Sequence, residues 1–167
     1  MQMRVHRAGM LPRIPVRKGK RGMSQVLVVD DDRAIRELLR YALEAEGYVV
    51  TQFRDGRGVV EALEAAQEPC VVLMDLMMPE MNGWDVCRAL EARGGLMQRH
   101  GLALMSAGLL PGQEYPAVVD ALVRKPFRLD QVYTLVEAMF EALAEQADEQ
   151  ALVPVLTCES QAMGSVA

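Results

Sequence analysis

The sequence predicts a doubly wound α/β domain over residues 24–147, a parallel sheet covered by helices on both faces. Three observations predict it. Short, wholly apolar runs rich in β-branched residues recur along the chain and suit strands buried on both sides. Between them lie segments whose apolar residues are spaced three and four apart, the period of a helix with one buried face. Strand and helix patterns alternate, which is the signature of helices layered over a parallel sheet.

The elements follow in order from Ser24. Val26-Leu27-Val28-Val29 is the first strand, ending at Asp30-Asp31-Asp32. Ile35, Leu38, Leu39, Ala42 and Leu43 share one helix face until Gly47 stops the helix. Tyr48–Thr51 is the second strand, and Val59, Ala62, Leu63 and Ala66 mark a second helix that closes before Pro69. Val71–Met74 is a third buried strand ending at Asp75. After a loop framed by Pro79 and Gly83, Val86, Ala89 and Leu90 line a third helix capped by Gly94-Gly95. Leu102–Met105 is a fourth strand ending at Ser106, and Ala121-Leu122-Val123 a fifth, followed by Arg124-Lys125-Pro126. A last amphipathic helix uses Val132, Leu135, Val136, Met139, Phe140 and Leu143. Residues 148–167 carry no strong pattern and read as an unstructured tail.

Composition narrows the class. Of 167 residues, 51% are hydrophobic and 25% charged, ordinary for a globular protein, while only 5% are aromatic, so the core is aliphatic with help from twelve Met. No apolar run reaches the roughly 18 residues that span a bilayer. Cys70, Cys87 and Cys158 are too scattered for a disulfide framework or a zinc site, and the expectation is a reducing cytoplasm. Net charge is −5, but residues 1–23 hold seven of the 18 basic groups and none of the 23 acidic ones. The acidic body argues against a nucleic-acid surface on the folded domain. Residues 1–23 read as a basic disordered arm, since Pro12, Pro15 and three glycines oppose a stable helix.

Ligands of doubly wound sheets bind beyond the carboxyl ends of the strands. There this chain places its polar groups: Asp30 and Asp31 after the first strand, Asp75 after the third, Ser106 after the fourth and Lys125 after the fifth. Each has a plain alternative. Asp32 or its neighbours can cap the first helix, Asp75 can open a turn, Ser106 can bond its own backbone, and Lys125 can be a surface charge. Together they carry more meaning. Converging carboxylates repel, a hard divalent cation such as Mg2+ relieves that repulsion, and an ammonium and a hydroxyl supply donors for a phosphoryl group. An Asp in such a pocket can act as nucleophile.

Val28-Val29-Asp30-Asp31-Asp32, Asp75-Leu76-Met77-Met78-Pro79 with Gly83, Ser106-Ala107 and Lys125-Pro126-Phe127 closely resemble the motifs of the response-regulator receiver domain of two-component systems, in its single-domain, chemotaxis-regulator-like form. The resemblance spans about residues 25–145. It implies a flavodoxin-like five-stranded sheet of order 2-1-3-4-5. It implies Asp75 as phosphoacceptor, with Mg2+ held by Asp30, Asp31, Asp75 and the backbone carbonyl of Met77. Ser106 and Lys125 would contact the phosphoryl group, and Pro126 would follow a cis peptide. The implied partners are a sensor histidine kinase or phosphotransfer protein and a downstream protein, with no DNA-binding domain and no membrane. The chain is then a phosphoacceptor rather than an enzyme.

Two departures stand out. The aromatic usual three residues before the receiver lysine is replaced by Leu122, and a leucine there is expected to stay buried. The stretch from Ser106 to Lys125 is shorter than usual by roughly one helical turn. With two prolines and two glycines at 108–116, the usual fourth helix is expected to be truncated or replaced by a loop. Competing readings are a constitutive interaction module on the same fold and an Asp75-nucleophile phosphohydrolase. The latter lacks a second Asp two residues on, where Met77 stands.

The folded domain is expected to start near Ser24, with Met23 as the candidate translation start. Intact mass of the protein from its native source should place the first residue at 23 or 24; a chain beginning at Met1 or Gln2 would refute that start.

Overall fold

The computed structural model describes residues 24–108 and 114–152, with backbone alone for 149–152. Five parallel strands form one sheet in the order β2-β1-β3-β4-β5. They are β1 (Gln25–Val29), β2 (Val49–Phe53), β3 (Cys70–Asp75), β4 (Gly101–Ser106) and β5 (Ala121–Arg124). The helices are α1 (Arg33–Ala45), α2 (Val59–Ala65), α3 (Gly83–Glu91) and α4 (Leu129–Leu152), with a 3-10 turn at Leu96–Gln98. The expected sheet and its order are present.

Side chains alternate across the sheet, as the pleat requires. Leu27, Val29, Val72, Met74, Leu102 and Leu104 face α2 and α3, meeting Val59, Leu63, Val86 and Leu90. Val26, Val28, Val71, Leu73, Ala103 and Met105 face α1 and α4, meeting Leu39, Leu43, Val132, Val136 and Met139. β3 and β4 are buried along their whole length, whereas β2 and β5 lie at the edges and are only partly covered. Tyr48, expected in the second strand, lies just before it, buried and stacked on Phe140 with ring centres 5.7 Å apart. Strand β2 instead runs on to Phe53, because pairing with β1 continues through Val29↔Phe53.

Two expectations are corrected. Leu122 is 42% exposed rather than buried. It sits on edge strand β5, and among the described residues no helix lies between β4 and β5 to cover it. Over the described residues this agrees with the truncated fourth helix expected from the short, proline-bearing connection. Tyr115, Val118 and Val119 of this connection pack against the α2–α3 side of the core. The carboxylate of Asp120 accepts the Leu102 N–H at 2.8 Å, and its own N–H donates to the Leu102 carbonyl at 2.9 Å, tying the entry of β5 to β4. Second, α4 continues to Leu152, past the expected boundary at 147. The five added residues, Asp148-Glu149-Gln150-Ala151-Leu152, are mostly good helix formers without an apolar period. The expected arm at 1–23, Cys158 and the rest of the tail from 153 lie outside the described residues. Cys70 and Cys87 are buried free thiols, and burial pushes the Cys87 thiol up to about 12.

His100, which the sequence reading did not single out, is 1% exposed at the entry to β4. Its Nδ1 accepts the backbone N–H of Cys70 at 3.0 Å, so the ring is neutral. Burial, reinforced by the Arg99 charge, pushes its pKa down to about 4 from 6.5. As pH falls below 6.5 the unfolded chain gains a proton that the folded chain refuses until about 4. Stability is therefore full above 6.5 and declines across this window, by on the order of 3 kcal/mol from this group. His100→Gln keeps an acceptor but does not titrate. Urea denaturation from pH 7 to pH 4 should show a shallower decline for this variant than for the wild type; equal slopes would remove His100 as the cause.

Candidate functional site

Because all five strands run the same way, their carboxyl ends share one edge, and the chain's polar groups collect there. Asp30 follows β1 and is fully buried. Its Oδ1 accepts the Asp32 N–H at 2.9 Å, and its Oδ2 accepts from Lys125 Nζ at 2.6 Å. Asp75 ends β3 at 6% exposure, with Oδ2 3.3 Å from the same Nζ. It also accepts the Met77 backbone N–H. Asp31 is exposed at the rim. One carboxylate oxygen from each of Asp30, Asp31 and Asp75 lies within 4.8 Å of the others.

Asp32 stays outside this group. Its side chain accepts the Ala34 N–H at 2.7 Å and caps α1, so the capping alternative holds for that one aspartate. Ser106 ends β4, one position beyond the Asp75↔Met105 pair. It is buried, and its Oγ accepts the Gly108 N–H at 3.1 Å, which uses a lone pair and not the hydroxyl proton. Lys125 is anchored by its own N–H to the Ser106 carbonyl at 3.0 Å, and the Lys125–Pro126 peptide is cis. Met77 exposes 73% of its surface. Gly83 lets α3 approach the site closely, since a Cβ there would meet the Asp75 carbonyl oxygen at 2.7 Å.

The electrostatics are those of surplus negative charge. Burial, and then the charge of Asp30, hold the Asp75 carboxyl above its ordinary pKa, against the opposing pull of Lys125 and the Met77 N–H. Burial pulls Lys125 down, but its hydrogen bond to Asp30 and the charges of Asp30 and Asp75 outweigh it and leave the ammonium raised. The Lys125 ammonium pairs with two of the three clustered carboxylates, Asp30 and Asp75. An all-oxygen donor set of this kind fits a hard divalent cation.

Residues 26–137 match the response regulator receiver domain. The chain belongs to that family. Response regulator MprA of Mycobacterium ulcerans (strain Agy99) is 37% identical over 135 residues, covering 76% of this chain and 54% of that protein. MprA of Mycolicibacterium vanbaalenii is 36% identical over 121 residues, covering 69% and 49%. This receiver chain spans about half the length of the curated relatives it matches. A CheY-like receiver domain protein from Methanospirillum hungatei superposes with a TM-score of 0.64 at 25% identity, covering 73% of this chain and 98% of that one. Response regulator TrrA of Thermotoga maritima, solved in complex with Mg(2+)-BeF, gives 0.60 at 25% identity, covering 70% and 99%.

Three features of this receiver's site escaped sequence reasoning. Arg36 of α1 donates from Nη1 to the backbone carbonyls of Asp30 at 2.7 Å and Asp31 at 3.0 Å. Buried Asp55 pairs with Arg57 at 2.7 Å, and the adjacent Gly56 N–H donates to the Met81 carbonyl at 2.9 Å, bracing the loop after Asp75. Trp84, early in α3, stacks on Tyr115 of the β4–β5 connection with ring centres 5.7 Å apart. The Asp55-Gly56 pair is a turn signal that could have been read. The other two depend on tertiary proximity.

Lys125→Met should leave the buried Asp30 carboxylate without its counter-ion and lower stability by about 3 kcal/mol. Added Mg2+ should recover part of that loss by occupying the same charge deficit. Denaturant unfolding with and without Mg2+ measures both; a variant as stable as the wild type would show that the buried Asp30 carboxylate does not depend on this counter-ion.

Proposed function

We propose that this receiver is a phosphoryl switch in which Asp75 takes a phosphoryl group from a phosphohistidine on a sensor kinase or phosphotransfer protein. The observation that carries the reading is the convergence of Asp30, Asp31 and Asp75 on one another, with Lys125 bonded to two of them. An Asp75 carboxylate oxygen forms the new P–O bond as the P–N bond to the donor imidazole breaks, and the imidazole leaves with a proton. Lys125 meets the incoming charge with a fixed ammonium, and the Ser106 hydroxyl offers a proton to a phosphoryl oxygen. Transfer of this kind rests on positioning and charge neutralisation rather than on covalent chemistry by other groups. Asp30, Asp31, Asp75 and the Met77 carbonyl would hold Mg2+, whose charge, when bound, offsets the repulsion between carboxylates and phosphoryl oxygens. The chain is a phosphoacceptor and not an enzyme on other substrates. It signals through protein–protein contact in the cytoplasm, where its buried thiols stay reduced.

One observation favours the constitutive interaction module. The face that receivers switch has Leu122 in place of the aromatic and, among the described residues, no helix between β4 and β5. On that reading Asp75→Asn leaves partner binding unchanged.

Incubation with acetyl phosphate and Mg2+ should label the wild type with acid-labile phosphate and Asp75→Asn not at all. Chelation of the metal should abolish labelling, and a generic phosphate ester should not be turned over. Label retained by Asp75→Asn would refute the assignment. Asp31→Asn should weaken Mg2+ binding markedly, because it removes a full charge from a hard-cation site.

The route out of the site is also predicted. Leu122 is already exposed and has no hydroxyl, so it cannot make the usual aromatic exchange between inward and outward positions. Hydrogen exchange with and without a phosphoryl mimic should change in 76–83 and 107–117. Changes concentrated in 120–124 and α4 would mean that the ordinary output face is in use.

A further inference from the structure

Of the three clustered carboxylates, two are held by their side chains. Asp30 is fixed by Lys125 and the Asp32 N–H, and Asp75 by Lys125 and the Met77 N–H. Asp31 is different. Its exposed carboxylate has no hydrogen bond or ion pair among the described residues, so the backbone, which sets the direction of its Cα–Cβ bond, is the part of it that is held.

That backbone is clamped from α1. The Asp30 carbonyl belongs to the peptide before the Asp31 Cα and the Asp31 carbonyl to the peptide after it. Both accept from the same Arg36 nitrogen, at 2.7 and 3.0 Å. The second peptide is also held at its other end, where the Asp32 N–H donates to Asp30 Oδ1 at 2.9 Å. The torsions on both sides of the Asp31 Cα are thereby fixed. The Arg36 backbone N–H meets the Asp32 carbonyl at 3.1 Å, which seats the arginine in the first turns of a capped helix.

We propose that Arg36 is a positioning residue for the metal site, fixing the peptides that flank Asp31 so that its carboxylate is pre-set beside Asp30 and Asp75. This rests on the reading of the site given above. The proposal has a distinctive sign. If Arg36 acted only as a charge, its removal would tighten cation binding by leaving the carboxylates more negative. If it positions Asp31, its removal weakens binding despite that change, as the loss of groups that orient metal ligands does.

The test is calorimetric titration of the full chain with Mg2+. Arg36→Met should weaken binding by roughly 10- to 100-fold, and Arg36→Lys, which keeps one donor group, should restore most of it. In an Asp31→Asn background, Arg36→Met should add little, because the group it orients is already disabled; independent losses would simply add. Unchanged or tighter Mg2+ binding in a folded Arg36→Met protein overturns the proposal, as do additive losses in the double variant. Should Arg36→Met fail to fold by circular dichroism, Arg36→Gln carries the same test, with an intermediate loss expected and wild-type affinity overturning the proposal. A wild type that binds no Mg2+ overturns both this inference and the reading of the site. A wild type that binds Mg2+ and takes up phosphate, beside an unaffected Arg36 variant, overturns this inference alone.

Discussion

The Asp30–Lys125 pair is the constraint on which the rest of the site depends. A fully buried carboxylate is tolerated only with a partner, and this one has a single ammonium at 2.6 Å, reaching across from the far edge of the sheet. That contact spans the sheet from β1, past β3 and β4, to the loop after β5. Since the same ammonium lies 3.3 Å from Asp75, any change in charge at Asp75 is felt at Asp30 and in the loop carrying Lys125. A pair so placed adds little net stability, because desolvation offsets its Coulomb energy. Its value is to hold two carboxylates and a cation in one arrangement before any ligand arrives.

The fold supports this with an economical division of labour. Apolar strands β1, β3 and β4 fill the middle of the sheet, so its interior needs no polar group, and polar side chains collect where the strands stop. Short turns then fix each of them locally: Asp32 caps α1, Asn82 and Asp85 form a reciprocal cap on α3, and Asp55–Arg57 braces the turn that bonds Met81. Asp32 and the α3 cap lie close in sequence to Asp31 and Asp75, Asp55–Arg57 reaches the same loop through space, and the sheet between them is filled mainly by Val, Leu and Met.

Much of this was legible in the chain. Val26–Val29, Val71–Met74 and Leu102–Met105 are apolar enough to be central strands under any topology, and their polar ends mark the site without reference to coordinates. The edges were harder to read. Strand β2 carries Thr51 and Gln52, and its extension to Phe53 follows from pairing rather than from pattern. The exposure of Leu122 is not legible, because a residue's identity does not reveal whether its strand is covered, and among the described residues no helix covers this one. The last turns of α4 carry no apolar period, so only propensity marks them as helical. Arg36 was invisible for another reason: its partners are backbone carbonyls, which every residue possesses.

The stack between Trp84 and Tyr115 has a practical consequence. The chain contains one tryptophan, and it stands early in α3, behind the loop that follows Asp75, against a ring from the connection that follows Ser106. Its emission therefore comes from a single place where the two segments nearest the site meet. The protein carries its own optical gauge of that junction, and no label need be introduced to read it.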